Sequence, residues 1–149
     1  MEDILNYKVE NESITILGFK KNKSVKSIKI PDFIDGKPVI KITEEAFRDL
    51  PMLRNIEFGD NLQYIGDYAF VNSGLKSVVI KPNIQHIGKS CFVLCHSLKN
   101  VQWMSPTTRI PDYCFSDCDN LESFDFTNIE NIGKGAFANS GLKTIKLGG

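Results

Sequence analysis

Residues 65–80 read Ile65-Gly66-Asp67-Tyr68-Ala69-Phe70-Val71-Asn72-Ser73-Gly74-Leu75-Lys76-Ser77-Val78-Val79-Ile80, and residues 132–147 repeat them with nine of sixteen positions identical. Residues 42–58, 87–103 and 110–126 carry the same apolar frame. Self-similarity at a short fixed period is the signature of stacked repeats. Each unit is then one coil of a solenoid, and its apolar face is buried only by its neighbours.

The phenylalanines mark the period. Phe47, Phe70, Phe92, Phe115 and Phe137 are spaced 23, 22, 23 and 22 residues apart. The path from Phe to the next Leu is six residues from Phe47, Phe92 and Phe115, and five where Asn-Ser-Gly, at 72–74 and 139–141, tightens it. Every coil opens on an aliphatic residue (Ile42, Ile65, Ile87, Ile110, Ile132) and later carries Leu53, Leu75, Leu98, Leu121 or Leu142. Three and five residues after that Leu come further apolar side chains, such as Val78 and Ile80 or Val101 and Trp103. Leu-x-x-Ile-x-Phe is a strand with alternate side chains in the core and the polar residues between them outside. The Ala-Phe segment has room for a helical turn or two, with Glu44 and Glu45 at its start. Gly66, Gly88 and Gly133 are expected to permit the tight bend before it.

Upstream, residues 7–9 and 13–17 alternate apolar and polar around Glu10-Asn11-Glu12, which predicts a hairpin. A solenoid's first coil needs a cover, so residues 1–24 are read as an N-terminal cap and link, and 25–149 as the solenoid, one structural domain. Lys20-Lys21-Asn22-Lys23 reads as a solvated link. Val25, Ile28 and Ile30 begin the first coil, followed by the turn residues Pro31-Asp32 and Asp35-Gly36-Lys37-Pro38. The fold class is α/β, rich in β: a right-handed solenoid of about six coils.

These residues resemble the BspA-like, treponemal-type leucine-rich-repeat family, whose repeat has the form Leu-x-x-Ile-x-Ile-Pro-x-x-x-x-x-Ile-Gly-x-x-Ala-Phe-x-x-Cys. The resemblance runs from Val25 to Leu147. It departs at Pro111, which replaces the turn glycine, at Met104-Ser105-Pro106-Thr107-Thr108, and at Cys91 and Cys114, which replace alanine. The first two fall on the fourth return, where the geometry is expected to differ. The resemblance implies non-catalytic protein binding, as the recognition portion of a cell-surface or secreted adhesion or host-interaction protein. Met1 read as a native start, with no secretory signal in Met1–Asn6, implies instead a cytoplasmic scaffold.

With 42% apolar and 24% charged residues the composition is that of an ordinary globular domain. Eighteen basic and eighteen acidic residues cancel, which argues against a dedicated nucleic-acid binder. No apolar run reaches the roughly 20 residues of a membrane span. Cys91, Cys95, Cys114 and Cys118 have a spacing that invites zinc, and thiols in adjacent coils invite a disulfide. The repeat explains them more simply, as small core residues in the columns of Ala69 and of the family's own cysteine. Cys95-His96 lacks an accompanying oxyanion motif, and Asp117 with Asp119 lacks the glycine and terminal glutamate of a calcium loop. No cofactor and no catalysis are expected. Asn11-Glu12-Ser13 and Asn22-Lys23-Ser24 are glycosylation sequons, meaningful only in a eukaryotic secretory host.

The outward face of the main sheet carries the candidate binding residues. Lys26, Arg54, Lys76, Lys99, Glu122 and Lys143 follow the strand leucines, a column basic at five of six coils. Beside it stand small polar residues, among them Asn55 and Asn100, and then Lys29, Glu57, Val79, Gln102, Asp125 and Lys146. The plain alternative is a solvated face of splayed lysines. A groove for an acidic or extended protein segment is the functional reading. At the other end of the solenoid, Ile145 and Leu147 are expected to lie uncovered, inviting end-to-end self-association through the last coil.

Overall fold

The computed structural model describes residues 4–20 and 24–147. Lys21, Asn22 and Lys23 of the basic link lie outside the described residues, as do most of the Asn22 sequon and the two terminal glycines. β1 (Leu5–Glu10) and β2 (Ser13–Phe19) form the antiparallel hairpin. Its turn is two residues long, Asn11 and Glu12, both with positive φ (50° and 64°). That conformation matches the twist of the flanking strands, so both strands run longer than the sequence pattern suggests.

β3 (Ser27–Lys29) starts the first coil, and β4 (Phe33–Ile34) pairs antiparallel with β5 (Lys37–Ile42). The remaining strands alternate between two faces. On one lie β6 (Asn55–Glu57), β8 (Ser77–Ile80), β10 (Asn100–Trp103) and β12 (Ser123–Phe124); on the other, β7 (Tyr64–Ile65), β9 (His86–Ile87), β11 (Arg109–Ile110) and β13 (Asn131–Ile132). Coil-to-coil pairing is parallel throughout: β3 with β6, and β8 with β10 and then β12. The hairpin joins the second face, where the order is β1-β2-β5-β7-β9, and β11 pairs β13 apart from it.

Between the two faces runs the core. Phe47, Phe70, Phe92 and Phe115 are fully buried and stack as a ladder, with centroids 5.4 Å apart at each step. Phe137 continues it at 5.5 Å, and Phe19 of the hairpin meets Phe47 edge-on at 5.0 Å, which closes the first end of the stack. Offset and edge-on rings of this kind add about 0.5–1.5 kcal/mol per pair beyond their buried area.

The α part of the α/β expectation is corrected: no α-helix occurs among the described residues. The segment around each Phe is a run of turns with two left-handed residues four positions apart, Glu45 and Asp49, Tyr68 and Asn72, Ser90 and Leu94, Tyr113 and Asp117, Gly135 and Asn139. The N–H groups of residues 45, 47 and 49 donate to the carbonyls of 67, 69 and 71, and those of 68, 70 and 72 to 89, 91 and 93. Hydrogen bonds that a helix would make within itself are directed along the solenoid to the next coil. Glu44 and Glu45 therefore sit at no helix start, and Glu45 instead pairs with Arg48 at 2.5 Å.

The expectation for the repeat glycines also needs a different reason. Gly66, Gly88 and Gly133 have no left-handed φ. A Cβ would lie 2.6 Å from the Glu44 nitrogen at Gly66, 2.4 Å from the Asp67 nitrogen at Gly88 and 2.6 Å from the Asp112 nitrogen at Gly133. They are glycines because consecutive coils approach too closely there for any side chain.

The fourth return departs as the sequence implies. Gly66, Gly88 and Gly133 donate their N–H to Ile42, Ile65 and Ile110 of the coil before, at 2.9, 2.9 and 2.8 Å. Pro111 has no N–H to give Ile87. Among the described residues β9 and β11 share no ladder. The Met104–Thr108 segment is held instead by side chains: Ser105 Oγ donates to the Ile84 carbonyl at 2.6 Å and meets Thr107 Oγ1 at 3.1 Å.

Candidate binding face

The basic column is built by the backbone. Arg54 N–H donates to the carbonyl of Lys26, Lys76 to Arg54, Lys99 to Lys76 and Glu122 to Lys99, at 2.8 to 3.1 Å. Each side chain is thus held one strand spacing, about 4.8 Å, from the next. Lys26, Lys76, Lys99 and Glu122 are exposed, as is Lys143 beyond them. Arg54 is half-buried, because its guanidinium folds back and donates to the Pro51 carbonyl. Its charge therefore sits closer to the surface than those of the lysines.

The neighbouring columns temper the charge. Lys29 pairs with Glu57 across adjacent strands at 3.4 Å, and Ser123 Oγ bonds the Asn100 side chain. Asn55 and Gln102 are exposed and unoccupied by charge, and Val79 shows 39% of its surface. Asp125 accepts from the hydroxyl and N–H of Thr127, which hold its carboxyl below the usual range. Two clefts open where the acidic members stand. One, of about 430 Å³, is lined by Glu122, Asp125, Lys146 and Leu147 with Phe124 and Phe126; the other, of about 510 Å³, includes Val101, Gln102, Met104 and Phe124. Phe124 was expected in the core, but it is only half-buried and borders both clefts. The sequence signal was indistinct: Phe occupies the same pattern position as Val78 and Val101, which are buried.

Leu142 to Leu147 form no strand against β12, contrary to the repeat pattern. Ile145 and Leu147 expose 45% and 44% of their surface, as expected.

All four cysteines are buried free thiols. Cys95 and Cys118 donate to the carbonyls of Phe70 and Phe92, at 3.2 and 3.1 Å, and Cys95 also contacts Ser73 Oγ at 3.2 Å. Burial pushes the Cys95 thiol up to about 11, those of Cys114 and Cys118 higher still, and that of Cys91 well above its ordinary range. A thiol in that state is a poor nucleophile at neutral pH. His96 turns outward and meets Asp119 at 3.0 Å, holding that carboxyl below its ordinary range. Cys95 and His96 thus face opposite directions. Asp117 and Asp119 also diverge, the former accepting from Asn139 at 3.0 Å. Among the described residues no group of three or more His, Cys, Asp or Glu could hold a metal ion. No helix among them is long and apolar enough to cross a membrane.

The second face holds a feature that the strand-centred pattern overlooks. Positions 41, 64, 86, 109 and 131 recur one residue before each opening isoleucine, as Lys41, Tyr64, His86, Arg109 and Asn131. Lys41 Nζ lies 4.7 Å over the Tyr64 ring, and the Tyr64 and His86 rings stack at 4.2 Å, 9° from parallel. The period that exposed the core would have shown this column too, had its outward residues been aligned.

Parallel coils, a continuous aromatic core and an outward polar sheet define a leucine-rich-repeat solenoid. The chain belongs to the BspA type leucine rich repeat family, which it matches in six copies over residues 12–143. Solved structures support the fold. The pneumococcal vaccine antigen PcpA aligns with a TM-score of 0.71 at 19% identity, covering 97% of this chain and 48% of that one. A leucine-rich repeat protein from Bacteroides ovatus aligns at 0.52 and 18% identity, covering 96% of this chain and 57% of the other. The leucine rich repeat protein of T. pallidum aligns at 0.50 and 20% identity, with 97% and 83% covered. This chain therefore spans about half the length of the first two. The comparison with curated proteins found no match. Leucine-rich repeats generally serve as interaction modules, with binding on the extended surface that stacked coils create.

Proposed function

We propose that this chain is a non-catalytic protein-binding module whose outer sheet face receives an acidic, extended segment of a partner protein. The observation that carries the reading is the backbone-bonded column of Lys26, Arg54, Lys76 and Lys99, four successive cationic residues in register. The small side chains of Ser27, Asn55, Ser77 and Asn100 beside it leave room for a chain to lie flat. The overall charge balance favours a protein partner over nucleic acid. The likeness to a pneumococcal vaccine antigen supports a cell-surface place and a part in adhesion or host contact; an intracellular scaffold is the alternative.

The test uses a labelled hexaglutamate peptide, titrated by fluorescence anisotropy at low and at physiological salt. Exposed charges are screened beyond about 8 Å at physiological ionic strength, so binding weakens with salt and falls further on joint charge reversal at Arg54, Lys76 and Lys99. Binding insensitive to both would leave the face merely solvated.

A second association is favoured by the exposure of Ile145 and Leu147 beside the cleft under Phe124 and Phe126. The chain pairs end to end with another copy there, with Lys143 and Lys146 limiting the contact. Sedimentation across a concentration series then shows a dimer that Leu147→Asp abolishes; a monomer at every concentration rejects it.

A further inference from the structure

We infer that the gap between β9 and β11 is a binding site for a flat aromatic side chain of a protein ligand, which would extend the Lys41–Tyr64–His86 stack by one more ring.

Among the described residues the second face is bonded coil to coil except at this place. Gln63 accepts the N–H groups of Gln85 and His86, and Thr108 accepts those of Glu130 and Asn131. The equivalent bonds from Thr108 and Arg109 to Gln85 are not formed, and Pro111 cannot donate to Ile87. Backbone edges that elsewhere face each other here border a cleft of about 300 Å³, whose lining includes Gln85, His86, Thr107, Thr108, Arg109 and Pro111. That volume lies at the small end of the range for ligand sites.

What suits the cleft to a ring is the column that ends in it. His86 is exposed, and Tyr64 covers one of its faces. In an unbroken column Arg109 would cover the other. Its guanidinium is drawn away, to Asp112 at 3.1 Å and to the Ile110 carbonyl at 3.3 Å. The free imidazole face is thus a stacking surface at the mouth of the cleft. Ion pairing of Arg109 with Asp112 leaves the mouth close to neutral, which disfavours a phosphate or carboxylate as the main group recognised. A tyrosine or tryptophan fits better: its ring stacks, and its O–H or N–H can reach the unpaired carbonyls of Gln85 and Ile87.

This site lies on the opposite sheet from the basic column and stands or falls separately from the acidic-segment reading. The experiment is a heteronuclear NMR titration of the intact chain with N-acetyl-tryptophanamide and N-acetyl-tyrosinamide, with glucose as the non-aromatic comparison. The expected result is saturable shifts of the amides of residues 85–88 and 107–109, weakened about fivefold by His86→Ala and retained by His86→Phe, as the strength of one ring contact implies. Because His86 is exposed, both variants should keep the parent spectrum elsewhere. Shifts scattered over the surface, equal affinity in His86→Ala, or saturation by glucose alone would each overturn the inference.

Discussion

The rings of Phe92 and Phe115 lie 5.4 Å apart and within 2° of parallel, each fully buried and each one coil from the next. A ring in the middle of such a column loses partners on both sides when it is removed. Phe92→Ala should cost about 3–5 kcal/mol of stability, whereas Lys99→Ala on the exposed face should cost less than about 0.5 kcal/mol. Urea midpoints of the two variants measure the difference. Equal midpoints would mean that the column does not hold the coils together.

Phe19 meets Phe47 edge-on rather than stacked, because the hairpin has no turn segment of its own to continue the ladder. Its replacement by Ala should destabilise the protein by about 2–4 kcal/mol, toward the lower part of the Phe→Ala range because the site is only half-buried. Amide exchange should speed up first in β2 and β5. Uniform acceleration along the whole chain would show that the hairpin is not a separable cover.

The thiols make stability depend on alkaline pH. In the unfolded chain a cysteine titrates near about 8.5; in the fold Cys95 is pushed up to about 11, Cys114 and Cys118 beyond it, and Cys91 well above its ordinary range. These raised values contribute stability that is fully present below the unfolded pKa and is lost as pH rises toward the folded values. From about pH 8.5 to 11 the unfolded state sheds protons that the fold retains, at up to about 1.4 kcal/mol per thiol per pH unit. Cys91→Ala with Cys114→Ala, which places at both sites the residue found at Ala69 and Ala136, should cost under about 2 kcal/mol at pH 7. It should remove about half of the thiol contribution to the alkaline slope. An unchanged slope would show that these thiols are not held neutral by the core.

How far the sequence could be read depended on which groups repeat. The core was legible because burial imposes one residue type per column, so Phe47 to Phe137 and the leucines recur in register. The turns around Phe were not. Ala-Phe is as compatible with a helical turn as with left-handed residues four apart, since the first positive φ of each turn falls on Glu45, Tyr68, Ser90 and Tyr113, and on a glycine only at Gly135. The role of Gly88 is ambiguous in the sequence for a related reason: a bend and a close approach both demand glycine. On the binding face the register of Lys26, Arg54 and Lys76 followed from strand periodicity. The folding back of Arg54 onto Pro51 did not, because a single long side chain chooses among local carbonyls.

Gly88 and Pro111 are equivalent positions in successive coils, and they should respond to alanine in opposite ways. At Gly88 a Cβ would stand 2.4 Å from the Asp67 nitrogen and Oδ1, backbone and a side chain already committed to the Lys89 N–H. The coils would have to separate, at a cost of about 1–3 kcal/mol or more. At Pro111 the fold already accommodates a Cβ, so Pro111→Ala adds an N–H where the ladder lacks a donor. The gain from one new bond, about 0.5–1.5 kcal/mol, opposes the entropy released to the unfolded chain, about 0.4–1 kcal/mol, so net stability should change by less than about 1 kcal/mol. Exchange protection of the new amide would show that the ladder between β9 and β11 can close, and the aromatic probes should then lose their cleft. If Gly88→Ala is as well tolerated as Pro111→Ala, close approach between coils is not what selects glycine in this repeat.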